Sequence, residues 1–123
     1  MKILALLVLI IASASVSATD VVSVTVGTEG PEVDACPSLG ELKKLTVVHR
    51  GPDSDFAEAT RLKPGTQVHV CGHTKNGRWT SVVVALDGVL DCKVSSPVAK
   101  PQFYRGPCMS GWVPTINVRV IAG

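Results

Sequence analysis

The chain has 123 residues, a formal charge of +2 and 18% charged residues, which is one domain of ordinary balance and neither a polar disordered tail nor a strongly basic nucleic-acid binder. The longest apolar run, Ile3–Ala12, covers ten residues, about half of the roughly 20 that a membrane-spanning helix needs. With basic residues scattered along the chain and no second long apolar run, composition argues against nucleic-acid partners and against a membrane span in the mature chain.

Taken from the start, Met1-Lys2 supplies a positive charge, Ile3–Ala12 a short apolar core and Val16-Ser17-Ala18 a small-x-small ending. This is the pattern of a secretory signal peptide over residues 1–18, with cleavage expected after Ala18 and a second choice after Ala14. A secreted or periplasmic protein is the consequence. No cysteine adjoins either cut, which argues against a lipid anchor. Residues 19–41 then form an acidic extension, with Asp20, Glu29, Glu32, Asp34 and Glu41 and no Lys or Arg. From Leu42 onward eleven basic residues face five acidic ones, so the extension is expected to lie on the rest and offset its charge. Alternation at Val22, Val24 and Val26 predicts a short edge strand. Pro37–Gly40 reads as extended or looped.

Residues 42–123 punctuate like a small all-β domain. Leu45–Val48 is β-rich, Arg50-Gly51-Pro52-Asp53 is a turn or loop start, and Lys63-Pro64-Gly65 launches a strand over Thr66–Cys71. Asn76-Gly77 is a hairpin signal, and Trp79–Leu86 is the returning strand. Asp87-Gly88 turns again. Val89–Pro107 is irregular, and Gly111-Trp112-Val113-Pro114 opens a last strand region ending in Val118–Ile121. In Thr66–Cys71 the period of two puts Val68 and Val70 toward a core and His69 and Cys71 outward. Trp79, Val82 and Val113 are expected to converge with them inside a closed sheet.

Five blocks fall in the order and spacing of a known family: Val47–Phe56, with His49-Arg50-Gly51-Pro52; Leu62–Val70, with Leu62, Gly65, Val68 and Val70; Gly77-Arg78-Trp79 with Val82; Gly111-Trp112-Val113; and Ile116-Asn117-Val118. Together they resemble a bacterial SH3 (SH3b, SH3-like) domain over roughly Leu45 to Val120. The resemblance implies an all-β fold, a small SH3-like barrel closed by a short helical turn and a last strand. It also implies non-catalytic binding, with a cell-wall peptide or an envelope protein as partner. Two departures stand out. His49 occupies the position where the family has Arg. An insertion over residues 86–109 separates the Trp79 strand from Gly111-Trp112-Val113, where the family turns in a few residues. An exported inhibitor or immunity-type protein that blocks an enzyme through the 86–109 loop is the competing expectation.

Four cysteines, Cys36, Cys71, Cys92 and Cys108, predict two disulfides in an exported domain of this size. Pairing Cys92 with Cys108 closes the insertion into a short ring, leaving Cys36 for Cys71, which ties the extension to the sheet. The other pairings stay open, with Cys71–Cys92 the chief rival. His69, Cys71 and His73 share one strand face at metal-ligand spacing, but disulfide formation by Cys71 is the stronger expectation, so no metal or cofactor is assigned. Asp91-Cys92 looks like a cysteine-peptidase nucleophile only in part: Lys93 follows, all three histidines lie upstream, and a thiolate needs a cleft and an activating neighbour. Among the aromatics, Trp79 and Phe56 are expected in the core. Phe103, Tyr104 and Arg105 on the insertion, with Trp112, are the candidate ligand-binding residues.

Overall fold

The computed structural model of the chain describes residues 5–10, 17 and 19–123. Most of the expected signal peptide, including Ala14 and Ala18, lies outside the described residues. Within it, Ala5–Ile10 has no regular structure and is exposed. No helix among the described residues is long and apolar enough to cross a membrane.

The chain is all-β. Its strands are β1 (Thr25–Val26), β2 (Ser38–Leu42), β3 (Thr46–His49), β4 (Glu58–Leu62), β5 (Gln67–His73), β6 (Trp79–Val84), β7 (Gln102–Phe103), β8 (Met109–Pro114) and β9 (Val118–Ala122), with one 3₁₀ turn at Thr115–Asn117. Seven strands form one antiparallel sheet in the order β4-β3-β8-β6-β5-β2-β9. Among the described residues the two ends of that order stay unpaired, so the ladder is an open sheet. β1 and β7 make a separate two-stranded ribbon.

The expected boundary between residues 41 and 42 falls inside a strand. Ser38–Leu42 runs between β5 and β9, with Gly40 opposite Val68 on one side and Val120 on the other. Its alternation is masked in the sequence because Gly40 occupies an inward position. The end of the acidic extension is therefore part of the main sheet.

Both faces of the sheet are covered. On the inner face Leu42, Val48, Leu62, Val68, Val70, Val82, Val84 and Val113 form one buried cluster. On the outer face Val24, Val26, Ala35, Cys36, Cys71, Val83, Cys92 and Val94 form a second. β6 lies between them and is buried from Thr80 through Val84. That is why Val82-Val83-Val84 is a continuous apolar run instead of an alternating one: a strand with two dry faces has no solvent side. Val68, Val70, Val82 and Val113 do converge as expected, but Trp79 does not join them. It sits at the start of β6 opposite Pro114, half-buried, with its ring edge-on to His49 at 5.5 Å. The end position carries it beyond the aliphatic layers. Phe56 is also only half-buried, lying over Gly51.

Close approach of β8 to β3 depends on Gly111. A Cβ there would stand 2.5 Å from Val48 Cγ1 and 2.8 Å from the His49 carbonyl oxygen, inside any tolerable contact, so only glycine lets the two strands meet.

Residues 86–109 and the extension fold together as a layer on the outer face. The Cys36 amide donates to the Val94 carbonyl at 3.1 Å and the Ala35 amide to Ser96 at 2.9 Å, with an isolated bridge from Asp34 to Pro97 beside them. The β1–β7 ribbon repeats the same pairing further out. Disulfides join Cys36 to Cys71 and Cys92 to Cys108, which is the preferred pairing of the two halves and sets aside Cys71–Cys92. Two such bonds are consistent with an oxidising extracellular or periplasmic compartment. Cys71 is the extra residue of a bulge between Val70 and Gly72, and its outward direction leads into the second core instead of into solvent. The extension does lie on the domain, but not through its charges. Among the described residues, Glu41 is its one acidic group in an ion pair, 3.5 Å from Arg119. Asp20, Glu29, Glu32 and Asp34 stay exposed, because the contact is made by valines, backbone and sulfur.

Candidate functional site

The outer layer carries a cavity of about 590 Å³, within the range of small-ligand sites. Its floor and walls are built from both partners of the layer. Thr25 and Val26 come from β1; Lys93, Val98, Pro101, Gln102, Phe103, Tyr104, Arg105 and Gly106 come from residues 86–109. Val26 is buried, Val98 half-buried and Phe103 58% exposed, so the hollow grades from a dry wall to an open aromatic lip.

The geometry of the rim follows from local constraints. Asp91 Oδ1 accepts the Lys93 amide at 2.7 Å, closing a tight turn. Lys93 then adopts φ 61°, the one positive value outside glycine among the described residues. A left-handed residue with a β-carbon costs roughly 1–2 kcal/mol. The turn is held on one side by the buried Cys92 sulfur in its bond to Cys108, and on the other by buried Val94.

Tyr104 locks the insertion from beneath. Its Oη donates to the Cys92 carbonyl at 2.9 Å and accepts from the Cys108 amide at 3.1 Å, bridging both ends of the disulfide ring. Its amide donates to the Val24 carbonyl at 2.8 Å, continuing the β1–β7 ladder by one pair. Burial pushes the phenol pKa above its usual 10.0, opposed by the Cys108 amide and reinforced by the Asp91 charge.

Of the expected site residues, Phe103, Tyr104 and Arg105 are brought together at the cavity. Trp112 is not among the residues that line it. It lies in β8 on the outer face, packed against the second core, and its Nε1–H donates to the Val22 carbonyl at 2.9 Å. That bond, with the Val22 amide donating to the Arg50 carbonyl at 2.9 Å, straps the extension to the sheet. The histidines lie elsewhere. His49 Nδ1–H donates to the Phe56 carbonyl at 2.8 Å, and His73 Nδ1 pairs with Thr80 Oγ1 at 2.9 Å. The alternating set His69, Cys71 and His73 does not hold a free thiolate, since the Cys71 sulfur is bonded to Cys36. The Asp91-Cys92 pair is likewise a turn and a disulfide half, with no thiol to act as nucleophile.

Sequence reasoning missed Lys93, Val98, Pro101 and the contribution of β1. An Asp two residues before Lys93 was the available signal for a turn there. Nothing in the sequence says that the turn faces Val26, some 70 positions earlier in the chain, because that meeting is made by disulfides and a two-residue ribbon.

Searched against family models, curated proteins and solved structures, the chain matches none of them.

Proposed function

We propose that this is an exported, non-catalytic binding module, with a sheet of SH3 type and a ligand seat on its insertion. The SH3-like reading is supported by where the five sequence blocks fall. Val47–Phe56 begins in β3, Leu62–Val70 runs from the end of β4 into β5, the Trp79 block starts β6, Gly111-Trp112-Val113 lies in β8, and Ile116-Asn117-Val118 runs from the helical turn into the last strand. In this reading the SH3-like barrel corresponds to the seven-stranded sheet, and residues 86–109 with the part of the extension before β2 are an added outer layer.

One observation carries the functional reading: the insertion is not a slack loop but a stapled wall around a cavity that contains Phe103, Tyr104 and Arg105. A preformed hollow with an aromatic lip and cationic rim binds a small ligand without first ordering it. Its size suits a short peptide. With the resemblance to bacterial SH3 domains, which implies wall binding, a cell-wall peptide is the leading ligand. The chemistry asked of the site is recognition alone, since the sulfurs beside it are spent on structure.

Sedimentation with purified peptidoglycan tests this. The expected result is retention of the oxidised protein, reduced at least fivefold by Phe103→Ala. No retention, together with a tight one-to-one complex with a secreted hydrolase, overturns it in favour of an inhibitor acting through residues 86–109.

A further inference from the structure

Resting on that reading, we infer that the cavity recognises the free carboxylate end of an extended wall peptide, with Lys93 and Arg105 as the anion-binding groups and the free side of β7 as a backbone template.

The backbone half of the argument comes from register. The Tyr104 amide donates to the Val24 carbonyl, so Val24 and Tyr104 are a hydrogen-bonded pair. In an antiparallel ladder such pairs alternate with non-hydrogen-bonded ones. Thr25 and Phe103, the next pair in register, are therefore of the second kind. The amide and carbonyl of Phe103 point away from β1, toward the side where the ribbon has no third strand. Phe103 is exposed and sits in the cavity wall. An extended peptide laid there gains one donor and one acceptor from Phe103, which is the β-addition mode of peptide recognition. A single residue of template suits a short ligand.

The charge half comes from the lining. Among the described residues two cationic side chains, Lys93 and Arg105, line the cavity, and no Asp or Glu does. The nearest acid in sequence, Asp91, has its Oδ1 engaged by the Lys93 amide. Neither Lys93 nor Arg105 is in an ion pair among the described residues, where the pairs are Arg61–Glu58 and Arg119–Glu41. An arginine and a lysine lining one cavity with apolar Val26, Val98 and Pro101 are complementary to a carboxylate joined to a small aliphatic residue. The left-handed Lys93 backbone fits the same picture. Glycine would hold that turn with less strain, yet the position bears a charged side chain at the rim of the hollow.

The test uses the whole oxidised protein and two preparations of the same peptidoglycan, one untreated and one with its carboxylates converted to amides by carbodiimide and methylamine. Retention is expected on the untreated wall and to fall about tenfold on the amidated one, the scale of one lost charge-assisted hydrogen bond. Lys93→Gly and Arg105→Gln are each expected to lower retention on the untreated wall by about the same factor, whereas Lys63→Gln in the β4–β5 turn leaves it unchanged. Thermal midpoints of all three variants no lower than that of the parent keep the comparison free of unfolding, and Lys93→Gly, which relieves a strained turn, is chosen for that reason. Equal retention on both walls overturns the carboxylate assignment and leaves wall binding standing. A fall on amidation that neither rim substitution reproduces overturns the assignment to this cavity. Retention on neither wall ends the functional reading itself, and this inference with it.

Discussion

The two faces of the sheet are held by different means. The inner core is eight aliphatic side chains drawn from six strands of one ladder, Leu42, Val48, Leu62, Val68, Val70, Val82, Val84 and Val113, without a sulfur among them. The outer core has three buried cysteines, a small alanine and four valines, and its own ladder is a ribbon of two residues a side. The difference shows what a layer needs when it cannot supply strand pairing or bulk. Two-residue strands and small side chains leave backbone entropy uncompensated. Disulfides lower that entropy in the unfolded chain instead. The candidate ligand seat is on the stapled layer, so the proposed binding depends on covalent bonds that the inner core does not contain.

Reduction is the most severe test of this division. By sequence separation, 35 for Cys36–Cys71 and 16 for Cys92–Cys108, the chain-entropy model assigns losses of about 4 and about 3 kcal/mol. Cys36→Ala with Cys71→Ala is expected to lose about 4 kcal/mol in urea titration. In hydrogen exchange on the reduced protein, the amides of Tyr104, Ala35 and Cys36 should lose protection well before those of β5 and β6. Simultaneous loss across both layers would show a single cooperative unit and dissolve the distinction.

Next come the paired truncations Val82→Ala and Val83→Ala. Both residues are fully buried and adjacent in β6, but face different cores. Each is expected to cost about 2–3 kcal/mol in the oxidised protein. In the reduced protein the Val82→Ala cost should persist and the Val83→Ala cost should shrink, because the layer over Val83 has already loosened. Equal costs in both redox states would place the two cores on the same footing.

These two regions were also unequally legible in the sequence. The inner sheet announces itself. Val68 and Val70 alternate within Thr66–Cys71, Asn76-Gly77 marks the β5–β6 turn, and Gly111 marks a backbone contact. Such signals are local, fixed by pleat and turn chemistry within a few residues. The exception there is β2, where Gly40 leaves a gap in the apolar pattern. The outer layer is almost silent. Val24 and Val26 alternate, but much of what they pack with, from Cys71 to Val94, is far along the chain, and Trp112 gives no hint that its indole bonds the Val22 carbonyl. The cysteines were the one long-range signal, and they carried the layer's outline. Phe103, Tyr104 and Arg105 were legible as a site only through the general tendency of insertions to bind. That Tyr104 serves as an internal brace depends on Cys92 and Cys108 being brought within reach of its hydroxyl.

The brace gives a smaller effect with a pH signature. Tyr104→Phe removes one bond to the Cys92 carbonyl and one from the Cys108 amide, an expected loss of about 1–2 kcal/mol at neutral pH. The folded-state pKa of this phenol is raised above 10.0. The neutral form is thus favoured by folding, so the associated stability is fully present below the unfolded value and is lost as pH rises through the folded one. Parent and Tyr104→Phe denaturation midpoints, compared from pH 8 to the alkaline limit of reversibility, are therefore expected to stay apart up to about pH 10 and converge above it. A constant gap would mean that the hydroxyl is not buried in the brace.

The smallest expected effect is the one of opposite sign. Lys93 at φ 61° bears a strain of roughly 1–2 kcal/mol, against which glycine would lose roughly 0.5–1 kcal/mol through its freer unfolded chain. The balance for Lys93→Gly is a gain of up to about 1.5 kcal/mol, with the Asp91 Oδ1 bond to the residue 93 amide unchanged since residue 93 contributes only its backbone to it. A thermal midpoint raised by a few degrees, with weaker retention on the wall, would separate the two contributions of this position, because a residue kept for folding cannot be removed to the benefit of stability and the detriment of binding. A lowered midpoint would mean instead that the lysine stem packs on the cavity wall strongly enough to offset its own strain, which would make the outer layer better packed, and less dependent on its disulfides, than its small buried side chains imply.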